Sequence, residues 1–136
     1  MQLHGLHQRI DRLLAEVEPP TQWECPSAVE LAEMAGLFLD DWQKQLVSST
    51  HPKILANCSR QVGKSTCAAL LSAWTALHAD NQLVLIVAPS LRQSAENMRS
   101  VISIWRSAGR PIRAVHQSIL SLHLAKIGRA SCRERV

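Results

Sequence analysis

No apolar run in this sequence approaches the roughly 18–20 residues that a membrane-crossing helix needs, so no membrane span is expected. The start, Met1-Gln2-Leu3-His4, lacks a basic region followed by an apolar core. That argues against a secretory signal and makes the cytoplasm the expected compartment. Cys25, Cys58, Cys67 and Cys132 show no C-x-x-C or Cys/His metal spacing, and free buried thiols are expected. His4 and His7 share a helix face but have no carboxylate or third ligand nearby, so they read as surface residues. Internal repeats and low-complexity linkers are also missing. A strong excess of one charge is missing too: the net +4 is mild and permits contact with nucleic acid without requiring it.

What is present is a chain of 136 residues, 46% hydrophobic, enough for one domain with its own core. Leu3, Leu6, Ile10, Leu13, Leu14 and Val17 fall on one face of an amphipathic helix, which Pro19-Pro20 ends. Ser27-Ala28-Val29-Glu30 has the S-x-x-E form of a capping box and predicts a helix from Ala28, with Gly36 as its stop. Asp40-x-x-Gln43 starts a second short helix, from Asp41 to about Ser48.

His51-Pro52 marks a turn into a strand over 53–57, and a helix follows over 64–79. Between them lies Cys58-Ser59-Arg60-Gln61-Val62-Gly63-Lys64-Ser65-Thr66. Strand, turn and helix with Gly-Lys-Ser at the bend is the layout of a phosphate-binding loop. Backbone N–H groups at a helix start supply fixed donors, and the helix dipole adds partial positive charge. In such a loop Gly63 would let the backbone approach a phosphate, Lys64 would reach the β- and γ-phosphates, and the Ser65 hydroxyl would complete the shell of a bound Mg²⁺. The general pattern G-x-x-x-x-G-K-[ST] has its first Gly replaced by Cys58.

Leu83-Val84-Leu85-Ile86-Val87-Ala88 is an unbroken apolar run, which predicts a central parallel strand buried on both faces. Ser90-x-x-Gln93 caps a further helix, whose inner face is expected to hold Leu91, Ala95, Met98, Val101, Ile102 and Trp105. Gly109-Arg110-Pro111 breaks it, and 112–115 and 118–124 read as two short alternating strands. The order, helices followed by βαβα and then ββ, predicts an α/β fold. Its form is a truncated P-loop NTPase, a three-layer αβα arrangement with a parallel sheet core, preceded by N-terminal helices. Ligands in such sheets sit at the carboxyl ends of the strands, where residues 58–66 are expected. The expected organisation is an N-terminal helical segment over 1–37 and a partial ATPase domain over 38–126. Residues 127–136 resemble the translation of a common DNA-sequencing adapter rather than native sequence. That stretch holds three Arg and one Glu, so removing its +2 from +4 leaves +2.

Taken together, Trp42-Gln43, the loop over 58–66, and the run 83–88 followed by Pro89-Ser90-x-x-Gln93 resemble the ATPase domain of the large terminase subunit of tailed bacteriophages. The Ser59-Arg60-Gln61-x-Gly63-Lys64 form of the loop is the most specific part, and the likeness covers roughly residues 38–124. The resemblance implies a motor that couples ATP hydrolysis to movement of double-stranded DNA into the procapsid, with ATP and Mg²⁺ as cofactors. Trp42 and Gln43 match the adenine-binding motif. Ser59, Arg60, Gln61, Val62, Gly63, Lys64, Ser65 and Thr66 match the nucleotide-binding loop, with Lys64 on the phosphates, Ser65 on Mg²⁺ and Arg60 as an arginine finger. Implied partners are double-stranded DNA, the portal protein, the small terminase subunit and further copies in a ring on the procapsid, with no membrane. The implied location is the cytoplasm of a bacterial host, transiently at the portal. The family's apolar run ending in Asp-Glu has no counterpart here, nor does its C-terminal endonuclease domain, so nucleotide binding without hydrolysis is expected. Another P-loop ATPase, such as a helicase, and a non-catalytic nucleotide-binding fragment are the alternative readings.

Overall fold

A computed structural model describes residues 24–79 and 81–125. The amphipathic helix expected over 3–17, the adapter-like stretch 127–136 and Cys132 lie outside the described residues. The elements are α1 (Ala28–Met34), α2 (Asp41–Val47), α3 (Lys64–His78), α4 (Leu91–Ser107), β1 (Ala114–Gln117) and β2 (Leu122–Leu124).

Local chemistry sets the helix ends. In α1 the Glu30 amide donates to Ser27 Oγ at 3.3 Å, and the Ser27 amide donates to Glu30 Oε2 at 2.8 Å, completing the capping box. Its C-terminus closes with Gly36 at φ +73°, the Leu37 amide on the Ala32 carbonyl and the Gly36 amide on the Glu33 carbonyl. These are the paired bonds of a Schellman motif. Gly109, at φ +87°, ends α4 the same way, through Arg110 to Trp105 and Gly109 to Arg106.

The core is helical. α3 contributes buried Cys67, Ala69, Leu70, Ala73 and Leu77, and α4 contributes Val101, Ile102, Ile104 and Trp105. α1 adds Ala28, Leu31 and Ala32. Leu91, expected on the inner face of α4, is exposed at its start, while Ile104 is buried instead. Two indoles tie chain segments to this core without an unpaired donor: Trp74 Nε1 donates to the Pro26 carbonyl and Trp105 Nε1 to the Ile112 carbonyl, both at 2.9 Å.

The expected three-layer αβα fold with a parallel sheet core is not what the described residues form. Their one sheet has two strands, β1 and β2, and they run antiparallel. Residues 53–57 and 83–88 carry no regular secondary structure, and no backbone hydrogen bond joins either segment to a described residue. Nor are they enclosed: Leu55 is 98% exposed, Leu85 76% and Val87 93%. The reason is physical. An apolar run states what a strand would bury, but a ladder needs a partner on each edge and cover on each face, and neither segment has them. The α/β class with right-handed crossovers is therefore withdrawn in favour of a mostly helical unit with one hairpin. The expected strands over 112–115 and 118–124 become that hairpin, with Ile112 buried ahead of β1 rather than in it. The Ser118 amide on the Ser121 carbonyl at 2.8 Å closes the turn.

No helix among the described residues is long and apolar enough to cross a membrane.

Candidate functional site

The loop over 58–63 runs directly into the first turn of α3. Its bend falls at Arg60-Gln61, and two residues in it take left-handed backbone, Gln61 at φ +61° and Gly63 at φ +86°. For Gln61 that conformation costs energy, about 1 kcal/mol, because its Cβ crowds the following carbonyl. Gly63 avoids this and is the N-cap of α3. A glycine cap has no side chain to bond the first-turn amides, so Lys64, Ser65 and Thr66 present N–H groups with no side-chain cap. Such a helix start suits an anion.

Gly63 is required for a second reason. A Cβ at this position would collide with Nε2 of Gln43. That amide is 94% buried in α2 and is shared between two backbone groups. Its Oε1 accepts from the Asp40 amide at 2.8 Å, and its Nε2 donates to the Val62 carbonyl at 3.1 Å. One residue therefore caps α2 and grips the loop 19 positions later. A Gln side chain offers two N–H hydrogens and two lone pairs, so one of each remains uncommitted. Trp42, next to it, is half-buried and packs against the helical core. The sequence signalled the cap through Asp40-x-x-Gln43. The grip on Val62 had no signal, because it joins residues that only the packing of α2 on α3 brings together.

The other expected site residues stand at the surface. Ser59, Arg60, Gln61, Lys64 and Ser65 are exposed, while Val62, Gly63 and Thr66 are half-buried. Arg60 and Lys64 form no ion pair with a described residue, where the single ion pair is Arg92 with Glu96. Their charges are thus uncommitted and face solvent. No group of three or more His, Cys, Asp or Glu that could hold a metal exists among the described residues. Ser65 offers one hydroxyl and belongs to no such cluster of described residues. That donor set does not hold Mg²⁺ alone, but it fits an ion that arrives already bound to phosphates and waters.

Two of the three described thiols, Cys25 and Cys67, are held protonated and are poor nucleophiles. Cys67 is buried at the base of α3, and burial raises its pKa, with the neighbouring Cys58 adding to the rise. Burial pushes Cys25 up to about 11. Cys25, Cys58 and Cys67 are all free, but of the expected free buried thiols only Cys67 is buried, Cys25 and Cys58 being half-buried; Cys25 and Cys67 stay protonated at neutral pH. Gln93 serves α4 only as a cap position: its amide donates to Ser90 Oγ at 3.3 Å.

A cavity of about 450 Å³ opens elsewhere, between α3, α4, residues 82–86 and the hairpin. Its lining includes Leu77, Ile86, Val101 and Ile112 but no residue of the loop, of Trp42 or of Gln43. It is an apolar gap beside the uncovered run 83–87 and offers no cradle for phosphate.

No protein-family model matches this chain, and no curated protein or solved structure is similar enough to match it.

Proposed function

We propose that this chain is the ATP-binding part of a DNA-packaging motor of the large-terminase kind, which binds Mg²⁺–ATP through residues 58–66. The observation that carries the reading is the bond from Gln43 Nε2 to the Val62 carbonyl. It couples the two motifs that the resemblance assigns to one nucleotide, the Trp42-Gln43 pair and the loop. The uncapped amides after Gly63 and the unpaired Lys64 supply donors and positive charge in one place, as a polyphosphate requires.

In this reading the first-turn amides and the Lys64 ammonium hold the phosphates, and the Ser65 hydroxyl joins the coordination of Mg²⁺. The Arg60 guanidinium reaches developing charge on the γ-phosphate. Gln43 acts chiefly as a positioning residue that sets the loop's height against α2. Double-stranded DNA, the portal protein, the small terminase subunit and further copies of the chain are the partners of the motor so proposed, in the cytoplasm of a bacterial host. Nothing in the sequence supplies the acidic pair that would hold Mg²⁺ and activate water, so these residues bind nucleotide without turning it over.

Equilibrium binding of a fluorescent ATP analogue, with and without Mg²⁺, tests the reading. The expected result is saturable Mg²⁺-assisted binding that Lys64→Ala abolishes while the thermal midpoint stays unchanged. Equal affinity in Lys64→Ala would remove the proposal. Genomic sequence beyond Lys126 separates the motor from a helicase: Asn-Gly-Ser and then an apolar run ending in Asp-Glu supports the motor, and Asp-Glu-x-Asp/His supports the helicase.

A further inference from the structure

The hairpin carries an arrangement that the nucleotide site does not use. His116 on β1 and His123 on β2 are register partners. Their imidazoles meet edge to face across the strands, with ring centroids 5.2 Å apart. Both are exposed, whereas Ala114, Leu122 and Leu124 beside them are half-buried and pack against the core. The core thus anchors the strands and leaves the imidazoles on the open side. Neither ring hydrogen-bonds a described residue, and no described carboxylate pairs with either. Two neutral imidazoles at this distance supply two nitrogen lone pairs to the same small volume.

We propose that His116 and His123 chelate one divalent transition-metal ion of the zinc, nickel or copper type. Imidazole nitrogen suits these borderline ions, whereas Mg²⁺ selects oxygen, so this site is distinct in chemistry from the loop. Metal–nitrogen bonds of about 2.0–2.1 Å require the donor atoms to come within about 3.5 Å of each other. Directly opposite residues on antiparallel strands have Cβ atoms about 4.5–5.5 Å apart, and exposed imidazoles turn freely about χ1 and χ2, so that spacing is within reach. Water fills the remaining coordination positions. The consequence is structural. A hairpin of four and three residues is marginal alone, and its ladder is interrupted by an irregularity between Ala114 and His116. An ion held by both strands fixes their register and favours the folded state by mass action.

The test uses the full chain titrated with NiCl₂, followed by histidine ring resonances and by thermal melts. The expected result is one saturating ion per chain, with the His116 and His123 resonances perturbed together and a midpoint that rises with nickel. His116→Asn and His123→Asn should each weaken binding by at least the roughly 10- to 100-fold that loss of an outer-shell partner costs. In the absence of nickel both variants should melt as the parent does, since both side chains are exposed. A His4→Asn/His7→Asn variant controls for the other histidine pair and should bind as the parent does. Undiminished nickel affinity in either hairpin variant, or loss of binding in the His4/His7 variant, would overturn the proposal.

Discussion

Residues 64–78 are apolar with interspersed polar side chains and residues 83–88 are wholly apolar, yet it is the less apolar segment that is buried. The first becomes α3, with Leu70 and Cys67 fully buried. The second keeps Leu83, Leu85 and Val87 in solvent and turns only part of its surface to the core, through Ile86. A helix satisfies its own backbone and needs only a packing face. A strand must find partners for every N–H and C=O, and its burial follows from theirs.

The sharpest way to break this contrast is to truncate one leucine in each region. Leu70→Ala should destabilise the chain by about 2–5 kcal/mol, because it leaves a cavity between helices. Leu85→Ala should change stability by no more than about 0.5 kcal/mol, as expected for a side chain already in water. Urea melts of both variants measure the difference. Equal losses would mean that 83–88 is covered in solution.

A second comparison sets the loop against the helix cap that grips it. Gly63→Ala forces a Cβ into left-handed backbone and against Gln43, and should cost about 1–3 kcal/mol while weakening the proposed nucleotide binding. Gln43→Ala removes the bonds to Asp40 and Val62 and should cost about 1–3 kcal/mol. Placed together, the two changes should cost less than their sum, since the collision needs the Gln43 amide. A double-mutant cycle read by thermal melts checks this, and strict additivity would separate the loop from α2.

The smallest effect belongs to the α1 cap. Glu30 has a pKa below the ordinary carboxylate range, first because it accepts from the Ser27 amide and then because it accepts from the Ser27 hydroxyl. A carboxylate held low contributes stability that is complete above its unfolded pKa and fades as pH falls through its folded one. Glu30→Gln should therefore flatten the acid limb of the stability profile slightly and leave neutral-pH behaviour nearly intact. An unaltered acid limb would count against the cap bonds.

Much of the helical architecture was legible in the residues. Ser27 with Glu30, Asp40 with Gln43, and Ser90 with Gln93 marked three helix starts, and Gly36 and Gly109 marked two stops. Each signal is a bond or a backbone angle made within a few residues, so sequence alone contains it. The strands failed for the complementary reason. Apolar content over 53–57 and 83–88 was real, but nothing within those windows states whether a neighbour exists. The candidate site divides along the same line. Gly63, Lys64 and Ser65 are adjacent, and their expectation as a phosphate loop came from residue type and order alone, whereas the hold of Gln43 on Val62 spans 19 positions and was invisible.

By itself, then, the sequence determined the four described helices, their caps and the composition of the loop, all of which depend on interactions between near neighbours. Only the tertiary structure decided that Gln43 would press on Gly63, that His116 would face His123, and that two apolar runs would stand without a sheet. Those outcomes depend on which distant surfaces meet, and that is a property of the packed chain rather than of any segment in it.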